Sequence, residues 1–473
     1  MATQISTATP QTLKRTRGIR GTVACNVEPD AVVLVHVSDI HFKDGSASTS
    51  VAQTDVKTQL TKDAAEVCNA LPVPAGILVT GDIAFAGQAS EYATARSWLE
   101  DLCKALKVPS EDVWTIPGNH DVDRSKHKDN AIIEGLHAQL RKEKPLEIDQ
   151  AIDKIVRQPA ACKALLDPFS NYDEFAAGYE CRIPSDRFFW EQELPLNDTS
   201  MLAIRGIHSA LVSTAKDSNT THKLVVGSLQ YTLPEKVGCT YLVMCHHPPN
   251  WLLDGEVLEK KLKPRARIHL FGHRHDHAID HINDSVRISA GALFPDKEEQ
   301  NWAPRYNIIA LRVQGEGANR ALHVVVFPRM WNDERQRFVA DQSAGTCREF
   351  DLPLPPWQAP QQATAKFSPP APPRNPAPVR ADNVSPRQES LPMRDPERRL
   401  TYRFLSLPFD KRFKIASSLG LVEENDREAN ETERAARFFS RARQRRLLAQ
   451  LWDAVENEHK DAARNNPFKE GGS

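Results

Sequence analysis

No apolar run in this chain approaches the roughly 20 residues needed to cross a bilayer. The basic N-terminal stretch, Met1 to Gly21 with Lys14, Arg15, Arg17 and Arg20, leads into no apolar segment. It therefore does not read as a secretory signal. It reads as a disordered tail over residues 1–30. No two of the eight cysteines form a Cys-x-x-Cys pair. They stand at Cys25, Cys68, Cys103, Cys162, Cys181, Cys239, Cys245 and Cys347, too scattered in too long a chain for the disulfide framework of a small secreted domain. The expectation is reduced thiols, several in the core, in a cytoplasmic protein without membrane association. Net charge is lacking too, since 61 Lys+Arg against 62 Asp+Glu leave −1. Composition thus exerts no global pull toward nucleic acid or anionic lipid, although a local basic groove stays open.

What is present is size and order. At 473 residues the chain can hold two or three domains around a large core. Residues 31–350 read as one α/β domain. Val32–Val37, Ile77–Thr80, Val113–Ile116, Tyr241–Cys245, Ile268–Phe271 and Val286–Ser289 are short, rich in Val, Ile and Leu, and end in polar or Gly residues, as buried strands do. Thr58–Leu71 and Glu91–Leu106 carry apolar residues at helical spacing. This alternation predicts a layered α/β fold. Arg305–Val313 and Leu322–Phe327 read as a β-pair, with Gly315 and Gly317 supplying the turn. Residues 124–190 form a long, mostly helical insertion, read either as a lid or specificity element or as a structural layer.

Residues 351–396 change character. From Leu352 to Pro396 lie thirteen of the 33 prolines, so the segment reads as an extended linker; an SH3-type ligand is the lesser reading. Residues 397–460 turn helical again, with Phe409–Leu419 closed by Gly420 and a second helix from about Glu431 to Val455. On that second helix Arg437, Arg441, Arg443 and Arg445 read as solvated. The module's charge is nearly balanced, which suggests an interaction or adaptor unit rather than a nucleic-acid binder. Residues 461–473 read as a tail.

Five polar clusters each follow an apolar run: Asp39-Ile40-His41, Gly81-Asp82, Gly118-Asn119-His120-Asp121, His246-His247-Pro248-Pro249 and Gly272-His273-Arg274-His275. Loops past the carboxyl ends of strands are where open α/β sheets bind ligands. Asp39 and His41 stand two apart, and so do His273 and His275. On extended backbone, both members of such a pair point one way. Gly81 and Gly118 allow tight turns. Imidazole, carboxylate and carboxamide without cysteine suit a pair of divalent cations. Such a pair generates a nucleophile and stabilises the charged transition state of phosphate-ester hydrolysis. The donor set accommodates Mn, Fe, Zn, Co or Ni.

The set Asp-x-His, Gly-Asp, Gly-Asn-His-Asp, His-His-Pro-Pro, Gly-His-x-His resembles the calcineurin-like metallophosphoesterase superfamily over about residues 31–330. The resemblance implies a four-layer α-β-β-α sandwich and two divalent metal ions, with manganese or an iron–manganese pair as the family's usual content. It implies that Asp39, His41 and His275 bind the first metal, that Asn119, His246 and His273 bind the second, and that Asp82 bridges them. It implies that His120 contacts the phosphate and protonates the leaving oxygen, that Asp121 orients His120 by accepting its other ring proton, and that a metal-bridging hydroxide attacks. His247 is read as a substrate contact or a loop cap, with His246 preferred as the ligand because it directly ends the strand. Arg274 is read as a phosphate contact or an exposed side chain. His36, His208, His277 and His281 read as structural or solvent-facing, with His208 able to edge the cleft.

The leading expectation is a dinuclear metal-dependent phosphoesterase acting on a small phosphodiester or nucleotide. Nucleic acid and a phosphomonoester on a protein or metabolite remain open as substrates. The alternative is an effector nuclease or phosphatase of a bacterial defence or signalling complex. A protein partner would recruit it through residues 397–460, which resemble the small effector-associated domains of bacterial conflict systems. A non-catalytic scaffold is disfavoured because every expected ligand position is filled.

Overall fold

The computed structural model describes residues 25–43, 47–128, 130–294, 303–358, 395–426, 429, 431–459 and 466–469. The expected N-terminal tail up to residue 24 and the linker from 359 to 394 lie outside the described residues.

Valine-rich β1 (Val32–Val37) is buried at the centre of the first sheet. Helix α1 (Ala47–Cys68) crosses to β2 (Gly76–Val79), and α2 (Ala89–Leu106) crosses to β3 (Val113–Thr115). The three strands run parallel. A capping box starts α2, where Glu91 Oε2 accepts the N–H of Gln88 at 3.0 Å. Helices α3 (Arg124–His127), α4 (Ala131–Lys142), α5 (Ile148–Val156), α6 (Pro159–Leu166) and α7 (Ser170–Ala177) form the insertion. Its helical character ends before the expected residue 190, because β4 (Phe189–Pro195) already belongs to the second sheet.

That sheet continues through β5 (Met201–Ile207), α8 (Ser228–Tyr231), β6 (Cys239–Cys245), α9 (Gly255–Leu262), β7 (Ala266–Phe271), β8 (Ala278–Ile282) and β9 (Ser285–Ser289), in the order β4-β5-β6-β7-β9-β8. Strands β5, β6, β7 and β9 are parallel. The chain then returns to the first sheet. Strand β10 (Arg305–Gln314) pairs antiparallel with β1, and β11 (Ala321–Asn332), β12 (Arg337–Ala340) and β13 (Arg348–Pro353) extend that edge. Gly315, at φ +69, makes the turn after β10. Apolar residues of both sheets share one continuous core. With helices outside, this is the four-layer α-β-β-α sandwich.

The C-terminal module packs α10 (Pro396–Leu405), α11 (Phe409–Ser418), α12 (Glu431–Gln444) and α13 (Leu448–His459) around Phe404, Phe438, Phe439, Leu451 and Trp452. Two expectations fail here. The single helix from Glu431 to Val455 breaks in two, with Arg446 at φ 57. Arg441 is also buried rather than solvated; its guanidinium donates to Asp426 Oδ1 at 2.9 Å and to Leu421 O at 2.7 Å.

A third correction concerns the thiols. Cys25 and Cys347 form a disulfide with Cα atoms 6.3 Å apart, joining the segment before β1 to the start of β13 across 322 residues. The other six cysteines are free. Sequence spacing carried no sign of the pair, since only the closed sheet brings those two positions together.

His36 and His208 are buried, and burial pushes both imidazoles down to about 3. The unfolded chain protonates them near 6.5, so between these values it binds more protons than the folded chain. Stability should therefore fall as pH drops below about 6.5, by up to about 1.4 kcal/mol per pH unit for each group. Urea denaturation from pH 7 to pH 4 measures this. A midpoint independent of pH would contradict it. Replacing both by apolar residues should make the profile less steep, the remainder coming from other buried imidazoles such as His137 and His269.

Candidate metal centre

The loops ending β1, β2, β3, β6 and β7 carry the five clusters to one place. Asp39, His41, Asp82 and His273 all adopt left-handed backbone, at φ 52, 50, 51 and 61. Such conformations are costly for residues with a Cβ and persist where surrounding structure over-determines them. Here backbone bonds tie the first two loops together. Ile40 and His41 both donate N–H to Asp82 O, at 2.9 and 3.0 Å, and Asp39 donates to Gly81 O at 3.1 Å. His273 N–H reaches Asp39 Oδ2 at 3.3 Å.

Asp82 lies in the middle and is buried. Its Oδ1 accepts the backbone N–H of His120 at 2.7 Å, and its Oδ2 faces His246 Nε2 at 3.4 Å and His41 Nε2 at 3.9 Å. Burial pushes this carboxyl up, but the charge and hydrogen bond of His246, with His120 and His41, outweigh it and hold it well below the usual range. The same partnership raises His246 to about 9 against its own burial. Asp39 is raised, first by burial and then by the like charge of Asp82. Burial brings His41 and His273 down to about 3, so these imidazoles are neutral with lone pairs to offer.

The donor atoms of Asp39, His41 and His275 lie within 4.8 Å of one another, and so do those of Asp39, Asp82 and His246. His275 Nε2 stands 3.9 Å from Asp39 Oδ1. On the other side three imidazoles converge on Asn119 Oδ1: His273 Nδ1 at 3.0 Å, His247 Nε2 at 3.1 Å and His246 Nε2 at 3.2 Å. His246 Nδ1 donates to Thr80 O at 2.7 Å, which turns Nε2 toward the cluster. The residues fit divalent cations. The donors are nitrogen and oxygen, and Asp39 Oδ1 and His41 Nδ1 are buried without a hydrogen-bond partner among the described residues.

His120 is held differently from expectation. Its Nδ1–H donates to Phe85 O at 2.8 Å, not to Asp121. The Asp121 carboxylate is occupied by the backbone N–H groups of Gly118 at 2.8 Å, Ala84 at 2.9 Å and Ile83 at 3.2 Å, and by Tyr92 OH at 2.9 Å. Burial, with repulsion from Asp82, raises it to about 6 despite those donors. Asp121 thus staples the loop after β3 to the turn after β2. That turn also carries Phe85, whose carbonyl holds His120.

His247 belongs to the cluster, with Nδ1 2.9 Å from Ser209 Oγ. Arg274 is exposed. His36 sits in the core with Nε2 3.0 Å from Thr80 Oγ1. His208 packs edge-on against Phe169, His277 bonds Asn307 Oδ1 at 2.8 Å, and the exposed His281 lies beside Phe350. Sequence reasoning missed two aromatic neighbours. Trp251 packs edge-on against His273 at 4.1 Å, and Phe85, 42% exposed beside His120, lies under Lys43 Nζ at 4.0 Å. An exposed Phe three residues past Gly-Asp was the one sequence-level sign of the second.

Asp121→Asn would turn an amide N–H₂ against groups that are themselves donors. Metal affinity or turnover should fall by about 10–100-fold, as for other residues that support ligands from behind. Metal titration beside Mn²⁺-dependent hydrolysis measures it; unchanged values would remove Asp121 from any supporting role.

Residues 32–277, more than half of the chain, match the family model "Calcineurin-like phosphoesterase", and residues 396–457 match "GTPase-associated adaptor domain". No curated protein matches the sequence. Among solved structures, vacuolar protein sorting 29 from Cryptosporidium parvum aligns at 12% identity, covering 68% of this chain and 98% of that one, with a TM-score of 0.30. Chaetomium thermophilum Vps29 aligns at 10% identity over 69% of this chain and 100% of its own, also at 0.30. Entamoeba histolytica Vps29 complexed with Zn²⁺ aligns at 9%, over 68% and 99%, at 0.28. With scores this low these likenesses carry no argument, and the assignment rests on the family model. The chain belongs to the calcineurin-like phosphoesterase family and is a metal-dependent hydrolase of phosphate esters.

Proposed function

We propose that the chain hydrolyses a small phosphodiester or nucleotide at a centre for two divalent ions. Asp39, His41 and His275 would hold the first ion and Asn119, His246 and His273 the second, with Asp82 available to both. The observation that carries this reading is the position of the Asp82 carboxylate, with Oδ2 3.4 Å from His246 Nε2 and 3.9 Å from His41 Nε2. Such a pair of cations lowers the pKa of water and offsets negative charge on phosphate oxygens.

The residues themselves do the rest. His120 donates a hydrogen bond from Nδ1–H to Phe85 O, which leaves Nε2–H to protonate the leaving oxygen as a general acid. Trp251 and Phe85 flank the imidazoles with apolar surface, limiting water around the reacting phosphate. His247 does not need to be a ligand. When Ser209 Oγ–H donates to its Nδ1, its Nε2–H donates to Asn119 Oδ1 and orients that carboxamide.

Elemental analysis of the purified protein should find two metal equivalents, and fewer in Asp82→Asn, whose Mn²⁺-dependent turnover should drop by about 10²-fold or more. A fully active Asp82→Asn protein would sink the two-ion reading. Bis-p-nitrophenyl phosphate, cyclic nucleotides and DNA are the substrates to compare, and cleavage of DNA alone would demote the small-diester reading.

His120→Ala should keep its metal but lose about 10²–10⁴-fold in kcat on substrates with poor leaving groups. The loss should shrink for p-nitrophenolate, which leaves without a proton. Equal losses on both substrates would argue against acid catalysis.

The adaptor-domain match favours a second reading of the whole chain: an effector recruited by a protein partner through residues 396–457, with a GTPase as the partner that the matched family's name suggests. Pull-down with the full chain and with a chain ending before residue 396 tests it. Equal capture by both would argue against recruitment through this module.

A further inference from the structure

The C-terminal module is packed against the phosphoesterase, not only strung to it. Helix α10 lies beside β3, which among the described strands pairs with β2 alone. The other edge of β3 is capped by the side chains of Tyr172, Cys181 and Trp190. Arg398 enters that edge with 5% exposure. It donates from Nη2 to Tyr179 O at 3.2 Å and to Val113 O at 3.4 Å, stands 3.5 Å from Asp112, and lies over the Trp114 ring. Arg399 Nη1 meets Glu111 at 3.3 Å, and Tyr402 OH donates to Glu100 Oε1 at 2.6 Å. A basic and aromatic helix face thus meets an acidic edge.

From this contact a row of buried rings leads to the metal centre. Tyr402 touches Tyr179 at 5.6 Å between centroids, Tyr179 touches Phe175 at 5.2 Å, and Phe175 stacks on Tyr92 at 5.1 Å. Tyr92 OH then donates to Asp121 at 2.9 Å. Arg96 lies over the two middle rings and donates to Phe175 O at 3.0 Å. None of the four rings is more than 5% exposed. In a close-packed interior, moving one moves the next. Both routes, β3 itself and the ring row, end on the loop that carries Asn119, His120 and Asp121.

We propose that the docked module braces this loop, with Arg399 and Tyr402 as positioning residues beside the buried anchor Arg398, and that a partner which draws α10 away from β3 lowers phosphate-ester hydrolysis. The effect on turnover rests on the proposed function; the effect on loop rigidity does not.

The test uses the full-length protein with Arg399→Glu and Tyr402→Ala together. Hydrogen exchange should quicken in residues 396–405 and in residues 113–121. Turnover of bis-p-nitrophenyl phosphate with Mn²⁺ should fall by about 2–30-fold, the usual span of such couplings. Charge reversal supplies a rescue: Glu111→Arg should restore both readouts to Arg399→Glu, which a variant that merely misfolds would not allow. A double-mutant cycle supplies the coupling, since Tyr402→Ala should cost less in a Tyr92→Phe background than alone. Fast exchange in α10 with unchanged exchange at 113–121 overturns the proposal, as do independent effects of Tyr402→Ala and Tyr92→Phe or failure of the charge swap. If the wild-type protein hydrolyses nothing, the functional reading fails, while the exchange data still decide the brace.

Discussion

Asp82 has to remain ionised inside a protein core. Burial opposes this, and the surrounding structure is built against that opposition. Imidazoles from the ends of β1 and β6 face its Oδ2, while a backbone N–H from the loop after β3 holds its Oδ1. An ionised carboxylate in such a place must be paired and hydrogen-bonded, or it takes up a proton instead. The parallel order of β1, β2 and β3 puts His41 and the His120 N–H beside Asp82, and the second sheet supplies His246 from the end of β6. A change in strand order would leave the charge uncompensated.

The backbone carries part of the cost. Four site residues sit in left-handed conformations, which Asp and His tolerate better than most residues with a Cβ but still at a cost on the order of 1–3 kcal/mol each. That strain is held by mutual bonds between the first two loops and by the sheet beneath them. The extended-strand arrangement expected for Asp39 with His41 and for His273 with His275 is therefore not the one found, because Asp39, His41 and His273 have left-handed backbone. The backbone bonds between the first two loops fix them against each other, which suits groups that support a metal centre.

Beyond the charged centre, support comes from apolar contact and from carbonyls. Phe85 serves twice, its carbonyl fixing His120 and its ring standing half in solvent beside it. Asp121 bridges two turns, and Tyr92 closes its shell. The helical insertion contributes Phe175 and its follower Tyr179 to the packing behind this carboxylate, and the C-terminal module reaches the same packing through Tyr402. Two parts of the chain separated by the Pro-rich linker thus share one interior at this point.

Donor types and their order were readable from residues alone, because each cluster follows a strand whose apolar composition is a local signal. Most strands were placed within a residue or two for the same reason, and α1 was placed short because its first turns are polar. What the residues could not reveal were contacts between distant segments. Asp121 looked like the partner of His120 by adjacency, yet the left-handed turn at Asp82 presents Phe85 O to that ring instead. Cys25 looked free until the closed sheet set it beside Cys347. Arg441 looked solvated until the turn before α12 set Asp426 and the Leu421 carbonyl against it. The amino-acid sequence on its own determined which atoms are offered to metal and phosphate, since that is a property of residue type at strand ends. The tertiary structure alone decided which groups hold those atoms in place, since Tyr402 and Glu100, 302 residues apart, meet only when the core has closed.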